Sequence, residues 1–191
     1  MDTVTAFEHA VTATEKLVAG VSPEQLSAPT PCADWDVRAL LNHLVATLQT
    51  FDARFHEREP GDDLGAPGGL PPADLLGDDP VTAYRDAAQS LLAAIRPAGA
   101  LERKYPTPVG ELPGSLLAEA AVLDVVVHGW DLAKATGQET SIDPPLAEYA
   151  LAFAQGFVSD QMRPRVYGSS NPVPDDAPAG DRLVAFVGRN P

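Results

Sequence analysis

Apolar residues recur at intervals of three and four along most of this chain, which is the periodicity of helices with one buried face. The most regular pattern follows Asp36, a predicted N-cap, and extends to Phe55. Four further patterns predict helices over Thr3–Ala19, Val81–Ile95, 115–136 and 144–161. In the fourth helix of the chain, Ser115 is the expected N-cap and Gly137 the expected C-terminal glycine.

Proline and glycine separate these helices. Residues 59–80 contain five Pro and five Gly, so we expect a long surface loop there, and a disordered linker and an active-site flap both remain open. Residues 101–113 are predicted to form an extended or hairpin-like ribbon, and 181–188 a short terminal helix. The pattern therefore predicts an all-α fold: a four-helix bundle with accessory short helices and long Pro/Gly-rich loops. We expect a single domain over 1–191, with the tail 162–191 packing back on the bundle.

Charge and composition narrow the function classes. The chain has 27 Asp and Glu against 13 Lys and Arg, a net charge of −14, which disfavours binding to nucleic acid or to an anionic membrane surface. Its single cysteine excludes an internal disulfide framework. The N-terminus has no signal-peptide pattern and no apolar run reaches the length of a membrane span. We therefore expect a cytoplasmic protein whose partner is a small molecule.

Candidate chemistry lies between two of the predicted helices. Asp124 and His128 are four residues apart, so they project from one helix face that also carries core-type residues. Burying an isolated charge there would cost several kcal/mol, and a divalent metal would compensate it. His43 borders the buried stripe of the second helix and could supply a third ligand. Two histidines and one carboxylate suit zinc, nickel, iron or manganese. A satisfied polar network without metal remains the alternative.

Other residues near these helices have more than one interpretation. Cys32 lies in a proline-rich loop close to acidic residues that would raise its pKa, so we predict a packing role rather than a nucleophile. Trp35 is expected to pack the start of the second helix, with a substrate lid as the alternative. Asp131 follows His128 by three residues and could orient its imidazole or pair with Arg38. A plain surface pair is an equal alternative for Asp131.

Two segments of the chain carry a family resemblance. Residues 30–44, which read TPCADWDVRALLNHL, and residues 124–133, which read DVVVHGWDLA, resemble the two signature stretches of the mycothiol-dependent maleylpyruvate isomerase N-terminal-domain family. That family belongs to the DinB/YfiT-like metal-binding superfamily. Residues 172–177 and 181–186 are similar to tails common in its actinobacterial members. The resemblance therefore spans nearly the whole chain.

The resemblance implies a DinB-like four-helix bundle with His43, Asp124 and His128 as metal ligands. The isomerase of this family has Glu at the acid position, where this chain has Asp124, which is one methylene shorter. The isomerase also has a separate C-terminal domain that contributes to its active site. This chain is too short for a full version of that domain, which argues against maleylpyruvate isomerisation itself as its reaction.

Two function classes follow from the residues and the resemblance together. The first is a metal-dependent transferase or isomerase that uses mycothiol as cosubstrate against a small electrophilic molecule. The second is a non-catalytic bundle, monomeric or homodimeric, that binds a metal or a small ligand. An open coordination position and the long loop at 59–80 favour the enzyme.

Overall fold

The computed structural model describes residues 1–64, 69–163 and 166–191. Within these ranges the α-helices are α1 Thr3–Ala19, α2 Val37–Phe55, α3 Pro80–Ile95, α4 Gly114–Thr136, α5 Pro144–Phe157 and α6 Ala179–Phe186. Two short antiparallel strands, β1 Lys104–Thr107 and β2 Gly110–Pro113, form a hairpin between α3 and α4. The predicted all-α class with a small ribbon is confirmed.

The first four helices form the bundle. Helix α1 packs against α3 and α4, α2 packs against α3 and α4, and α5 adds to the free side of α4. The core is filled by large, fully buried side chains from these helices: Phe7, Leu40, Leu44, Tyr84, Leu91, Leu123 and Leu132. Helix α4 is therefore enclosed by neighbours, and its buried residues lie on most of its sides. Even so, no helix of the described ranges combines the length and apolarity needed to cross a bilayer.

Helix α4 begins differently from the prediction. Ser115 is not its N-cap; the helix begins at Gly114 and follows Pro113, which makes no side-chain cap hydrogen bond. The neighbouring segment explains this, because Gly114 N donates to Arg103 O at 2.8 Å and Ser115 N donates to Leu101 O at 2.8 Å. Backbone carbonyls thus satisfy donors that a capping side chain would otherwise serve. At the other end Gly137 adopts φ 69°, as a C-terminal glycine should.

The end of the chain lies on α5. Helix α5 ends at Phe157, four residues before the predicted end, because Val158 adopts an extended backbone. Helix α6, which occupies Ala179–Phe186 rather than 181–188, packs against α5. Leu183 and Val187 are fully buried and belong to the same hydrophobic cluster as the bundle core. This placement brings the residues after α6 close to the face of α4 that carries His128.

Candidate metal centre

Three polar side chains meet where α2 lies against α4. The ligand atoms of His43, Asp124 and His128 all lie within 4.8 Å of one another. Asp124 Oδ1 lies 3.4 Å from His43 Nε2 and 3.7 Å from His128 Nε2. The two imidazole rings are 4.7 Å apart and nearly perpendicular, at 77°. The structure therefore brings together all three residues that the sequence nominated as metal ligands, hereafter the ligand cluster.

A hydrogen-bond acceptor on Nδ1 orients each of the two imidazoles. His43 Nδ1 donates to the carbonyl oxygen of Gly69 at 2.9 Å, and His128 Nδ1 donates to Asp131 Oδ2 at 3.0 Å. These acceptors assign the ring proton to Nδ1 in each histidine. With the proton on Nδ1, each Nε2 lone pair faces Asp124, and Thr47 Oγ1 also lies 3.4 Å from His43 Nε2. Metal-bound histidines in proteins are held in this way, by an acceptor on the ring nitrogen that does not bind the metal.

Asp124 is the least satisfied member of the ligand cluster. Its Oδ1 contacts both imidazoles, whereas its Oδ2 is buried and has no hydrogen-bond partner among the described residues. Burial alone would raise the pKa of Asp124, but positive charge on His128 and His43, which these rings carry only when protonated, lowers it. An unpaired buried acceptor typically costs about 1–3 kcal/mol. A cation between Asp124 and the two Nε2 atoms would supply the missing partner, so the donor set fits a divalent metal.

A second polar group lies behind His128, and we call it the Asp131 network: Cys32, His128, Asp131 and Arg189. Asp131 is fully buried. Its Oδ2 accepts from His128, from Cys32 Sγ at 3.2 Å and from Arg189 Nη2 at 2.7 Å, while its Oδ1 accepts from Arg189 Nε at 3.1 Å. Burial alone would raise the pKa of Asp131, but the hydrogen bonds from His128 and Arg189 lower it well below its ordinary value. Asp131 is therefore a buried carboxylate held by a bidentate guanidinium.

The network corrects two interpretations made from the sequence. Asp131 is not part of a surface pair, because it has no exposed area. Nor does it pair with Arg38, which instead donates to Asp74 Oδ2 at 2.5 Å at the edge of the site. Its partner is Arg189, 58 residues away in the sequence. No local spacing could have identified Arg189; the predicted return of the tail to the bundle was the available signal.

Cys32 and Trp35 both face the site. Burial and the charge of Asp131 raise the pKa of Cys32 to about 12, so the thiol is neutral. The predicted direction of this shift is confirmed, although Asp131, rather than the acidic residues beside Cys32 in the sequence, supplies the charge. The Trp35 ring lies 4.7 Å from the His43 ring and 6.0 Å from that of His128. Trp35, just before the start of α2, therefore lies beside both imidazoles.

A cavity of about 410 Å³ opens beside the ligand cluster. Its walls come from the 31–35 loop, from α2 and α4, and from the tail. The lining includes Cys32, Trp35, His43, Asp124, His128, Arg163, Tyr167 and Arg189. The volume suits a small molecule. The cavity gives such a molecule access to the side of the ligand cluster that the described residues leave open.

An all-α bundle with two histidines and one carboxylate between facing helices defines a class of protein, the helical bundles that can hold a metal in their core. Residues 7–133 match the model of the family described as "Mycothiol maleylpyruvate isomerase N-terminal domain", and the chain belongs to that family. The resemblance carried by the two signature stretches is thereby confirmed. The matched range contains all three members of the ligand cluster.

Two relatives come from Mycobacterium tuberculosis. They are the uncharacterized protein MT0763 of strain CDC 1551 / Oshkosh and the uncharacterized protein Rv0738 of strain ATCC 25618 / H37Rv. Each is 33% identical over 191 residues, covering 99% of this chain and 98% of the relative. The similarity to these proteins thus includes the tail, which lies beyond the range of the family model.

Two solved structures share the fold. The crystal structure of the mycothiol-dependent maleylpyruvate isomerase superposes with a TM-score of 0.61 at 16% identity, covering 78% of this chain and 66% of that one. A histidine-to-alanine mutant of the isomerase gives a TM-score of 0.58 at 13% identity, with the same coverage. At this identity the likeness concerns the fold. The chain spans 66% of the isomerase's length.

Proposed function

We propose that the protein binds a divalent metal ion through His43, Asp124 and His128 and uses it in a transferase or isomerase reaction. The cosubstrate would be a low-molecular-weight thiol such as mycothiol, and the substrate a small electrophilic molecule. One observation carries the proposal: two Nε2 atoms and a carboxylate converge within 4.8 Å, and the carboxylate keeps a buried oxygen without a partner among the described residues.

The donor set supports zinc first. Zinc takes imidazole nitrogen and carboxylate oxygen, and catalytic zinc sites use three protein ligands with the fourth position open. Nickel, iron and manganese accept the same donors. The cavity of about 410 Å³ lies beside the three side chains, so an open position would face a space that admits substrate.

The residues around the ligand cluster divide the work of the proposed reaction. Bound there, a metal would lower the pKa of a thiol or water, so that a thiolate or hydroxide is present near neutral pH. Gly69 and Asp131 hold the two imidazoles in place. Trp35 lies beside both imidazole rings, where its indole would limit the access of water to them. Cys32 stays protonated, which leaves the thiol of the cosubstrate as the nucleophile.

Domain organisation and compartment belong to the same proposal. We infer that residues 1–191 act as one domain, because α6 packs on α5 and its buried residues join the bundle core. We also infer a cytoplasmic location, where low-molecular-weight thiols are kept reduced. The family description supports mycothiol as the thiol in question.

Metal content tests the proposal directly. We expect about one metal ion per chain in the purified protein after exposure to zinc and removal of excess, measured by atomic spectrometry. His43→Ala, Asp124→Ala and His128→Ala should each lose the metal while keeping a helical circular-dichroism spectrum. His9→Ala, an exposed histidine on α1, is the matched control and should retain it. A wild-type protein that takes up no metal, or ligand variants that keep it, would refute the site.

Activity separates an enzyme from a binder. Metal-loaded protein should accelerate the reaction of mycothiol with a panel of small electrophiles, and chelation or His43→Ala should abolish that acceleration. Metal binding without any thiol-dependent reaction would favour the non-catalytic bundle instead. Unfolding of His43→Ala and His128→Ala, in a protein that never binds metal, would mean that these side chains form a structural polar core.

A further inference from the structure

The C-terminal tail places the guanidinium of Arg189 against Asp131, which supports His128 of the ligand cluster. Arg189 donates through Nη2 to Asp131 Oδ2 at 2.7 Å and through Nε to Asp131 Oδ1 at 3.1 Å. The Arg189 side chain is 12% exposed and that of Asp131 is 0% exposed. Arg189 lies well beyond the matched family range of 7–133. The contact thus joins Asp131, which lies inside the matched range, to a residue that the family model does not cover.

We propose that Arg189 is a positioning residue for the metal centre, acting on His128 through Asp131. Arg189 fixes the carboxylate of Asp131, and that carboxylate fixes His128 with Nε2 directed at Asp124. The proposal rests on the proposed function insofar as it concerns a metal, but the orientation of His128 can be tested without one.

The geometry of Asp131 explains why the carboxylate depends on Arg189. Three donors converge on Oδ2, from His128, Cys32 and Arg189, while Oδ1 is bound only by Arg189 among the described residues. A carboxylate bonded through one oxygen can rotate about its terminal torsion. Two parallel N–H···O bonds from a planar guanidinium fix that rotation and compensate the buried charge. The direction in which Oδ2 faces His128 Nδ1 is therefore set by Arg189.

The backbone after α6 holds Arg189 in place. Arg189 N donates to Val184 O at 2.8 Å, and Asn171 Nδ2 donates to Arg189 O at 2.6 Å. Gly188 adopts φ 94°, and a Cβ built on it would lie 2.4 Å from the Cα of Gly168. Only glycine fits both the conformation and the close approach. The turn that ends α6 thus delivers the guanidinium to Asp131 from a fixed position.

A variant series separates this role from simple docking of the tail. The series is Arg189→Gln, Asp131→Asn and the double variant. Arg182→Gln is the matched control, because Arg182 lies on α6 and pairs with the exposed Glu148 on α5. The same residue type is thus changed in the same segment without touching Asp131. Limited proteolysis of each variant reports whether the tail remains docked.

The first readout uses metal-free protein. Proton–nitrogen correlation spectra should show a protected Nδ1–H signal for His128 in the wild type and in Arg182→Gln. The signal should be lost in Arg189→Gln and Asp131→Asn. His43 serves as an internal reference, because its Nδ1 donates to Gly69 O rather than to the Asp131 network. Its signal should persist in every variant.

The second readout is zinc affinity, measured by competition with a chelator. Asp131→Asn and Arg189→Gln should each raise the zinc dissociation constant about 10- to 100-fold, as loss of a group that orients a ligand does. Since Arg189 acts through Asp131, the double variant should bind zinc no more weakly than Asp131→Asn alone. Arg189→Lys keeps the charge but not the bidentate geometry, and it should recover only part of the affinity.

Several results would overturn the proposal. One is an Arg189→Gln protein with wild-type His128 signal and zinc affinity; another is a double variant in which the two losses add. If proteolysis shows that Arg189→Gln undocks the tail, Arg189→Lys replaces it in the comparison with Asp131→Asn. In that case, an Arg189→Lys protein with the His128 signal and zinc affinity of the wild type would refute the proposal. A wild type that binds no zinc defeats the proposed function, while the His128 signal still decides the role of Arg189.

Discussion

The two histidines of the ligand cluster are held by different kinds of support. His43, on α2, donates to a backbone carbonyl of the 59–80 loop, and His128, on α4, donates to a buried carboxylate that is itself paired with an arginine. One support is neutral and depends on a loop with many Gly and Pro residues. The other is ionic and enclosed. Different substitutions should therefore disturb the orientation of His43 and that of His128.

The α2 side depends on how the 59–80 loop is anchored. Asn42, which precedes His43, accepts from Leu75 N at 2.7 Å and donates to Asp74 Oδ1 at 3.2 Å. Arg38, one turn earlier on α2, pairs with Asp74 at the surface. The loop thus returns to α2 next to the histidine that it supports. Of the two open interpretations of this loop, its contact with His43 favours the active-site flap, although residues 65–68 lie outside the described ranges.

The largest loss of stability should come from the α4 side. Asp131→Ala removes the partner of Arg189 and leaves a buried guanidinium uncompensated, which typically costs about 3–5 kcal/mol. Urea unfolding of the metal-free protein at pH 7 measures the change. Asp86→Ala, at an exposed position on α3, should change the free energy of unfolding by no more than about 0.5 kcal/mol. A loss below about 1 kcal/mol for Asp131→Ala would mean that Arg189 finds another partner or water.

A substitution on the α2 side should cost less free energy of unfolding, and its effect should be confined to the loop anchor. Asn42→Ala removes the acceptor for Leu75 N in a part-buried hydrogen bond, and a donor left without a partner costs about 1–3 kcal/mol. Hydrogen exchange of the Leu75 amide should therefore become about 10- to 100-fold faster, while the amides of α4 keep their protection. Gln49→Ala on the same helix is the control. Equal acceleration throughout the bundle would show that the loop anchor is not a local unit.

The sequence predicts the site residues on the helices better than those in the connecting segments. Asp124 and His128 share one helix face, and His43 borders a regular apolar stripe, so periodicity alone nominated all three. Gly69 and Arg189 lie in a loop and a tail, where no period relates a residue to its neighbours in space. Their contacts span 26 and 58 residues of sequence. Helical spacing predicts which side chains share a face, but the partners that orient them depend on tertiary packing.

The predictions for Trp35 and Cys32 are also limited to what neighbouring residues in the sequence can indicate. The sequence correctly treats Cys32 as a neutral thiol, yet the charge responsible comes from Asp131 on α4. Trp35 was predicted to pack the start of α2, and the structure adds its contacts with both imidazoles. In both cases the local sequence indicates the character of the residue. The 31–35 loop reaches α4 only in the folded bundle.

The reactivity of Cys32 tests the ionic side without a metal. Burial and Asp131 raise the pKa of this thiol to about 12, and the thiolate is the reactive form. We expect alkylation by iodoacetamide at pH 8 to be more than roughly 10-fold slower in the folded protein than in urea. Asp131→Asn should recover part of the rate because it removes the negative charge. A folded protein that reacts as fast as the unfolded chain would place Cys32 outside the network.

The smallest effect should come from the exposed end of the loop anchor. The hydrogen bond from Arg38 lowers the pKa of Asp74 from its ordinary value of 3.8. The contribution of this carboxylate is therefore fully present above that value and is lost as pH falls through the lower, folded-state pKa. Exposed pairs of this kind contribute about 0.2–1 kcal/mol and are screened by salt.

Asp74→Asn should accordingly differ from wild type at pH 7 and low salt, and the difference should shrink both in about 1 M salt and as the pH falls through the lowered pKa of Asp74. Hydrogen exchange of the Leu75 amide measures it at pH 7, and thermal unfolding follows it into acid. The Asp131 network should keep its contribution in salt, because its carboxylate is fully buried. Equal salt sensitivity of Asp74→Asn and Asp131→Asn would contradict the division of the site into an exposed, loop-dependent side and an enclosed, ionic one.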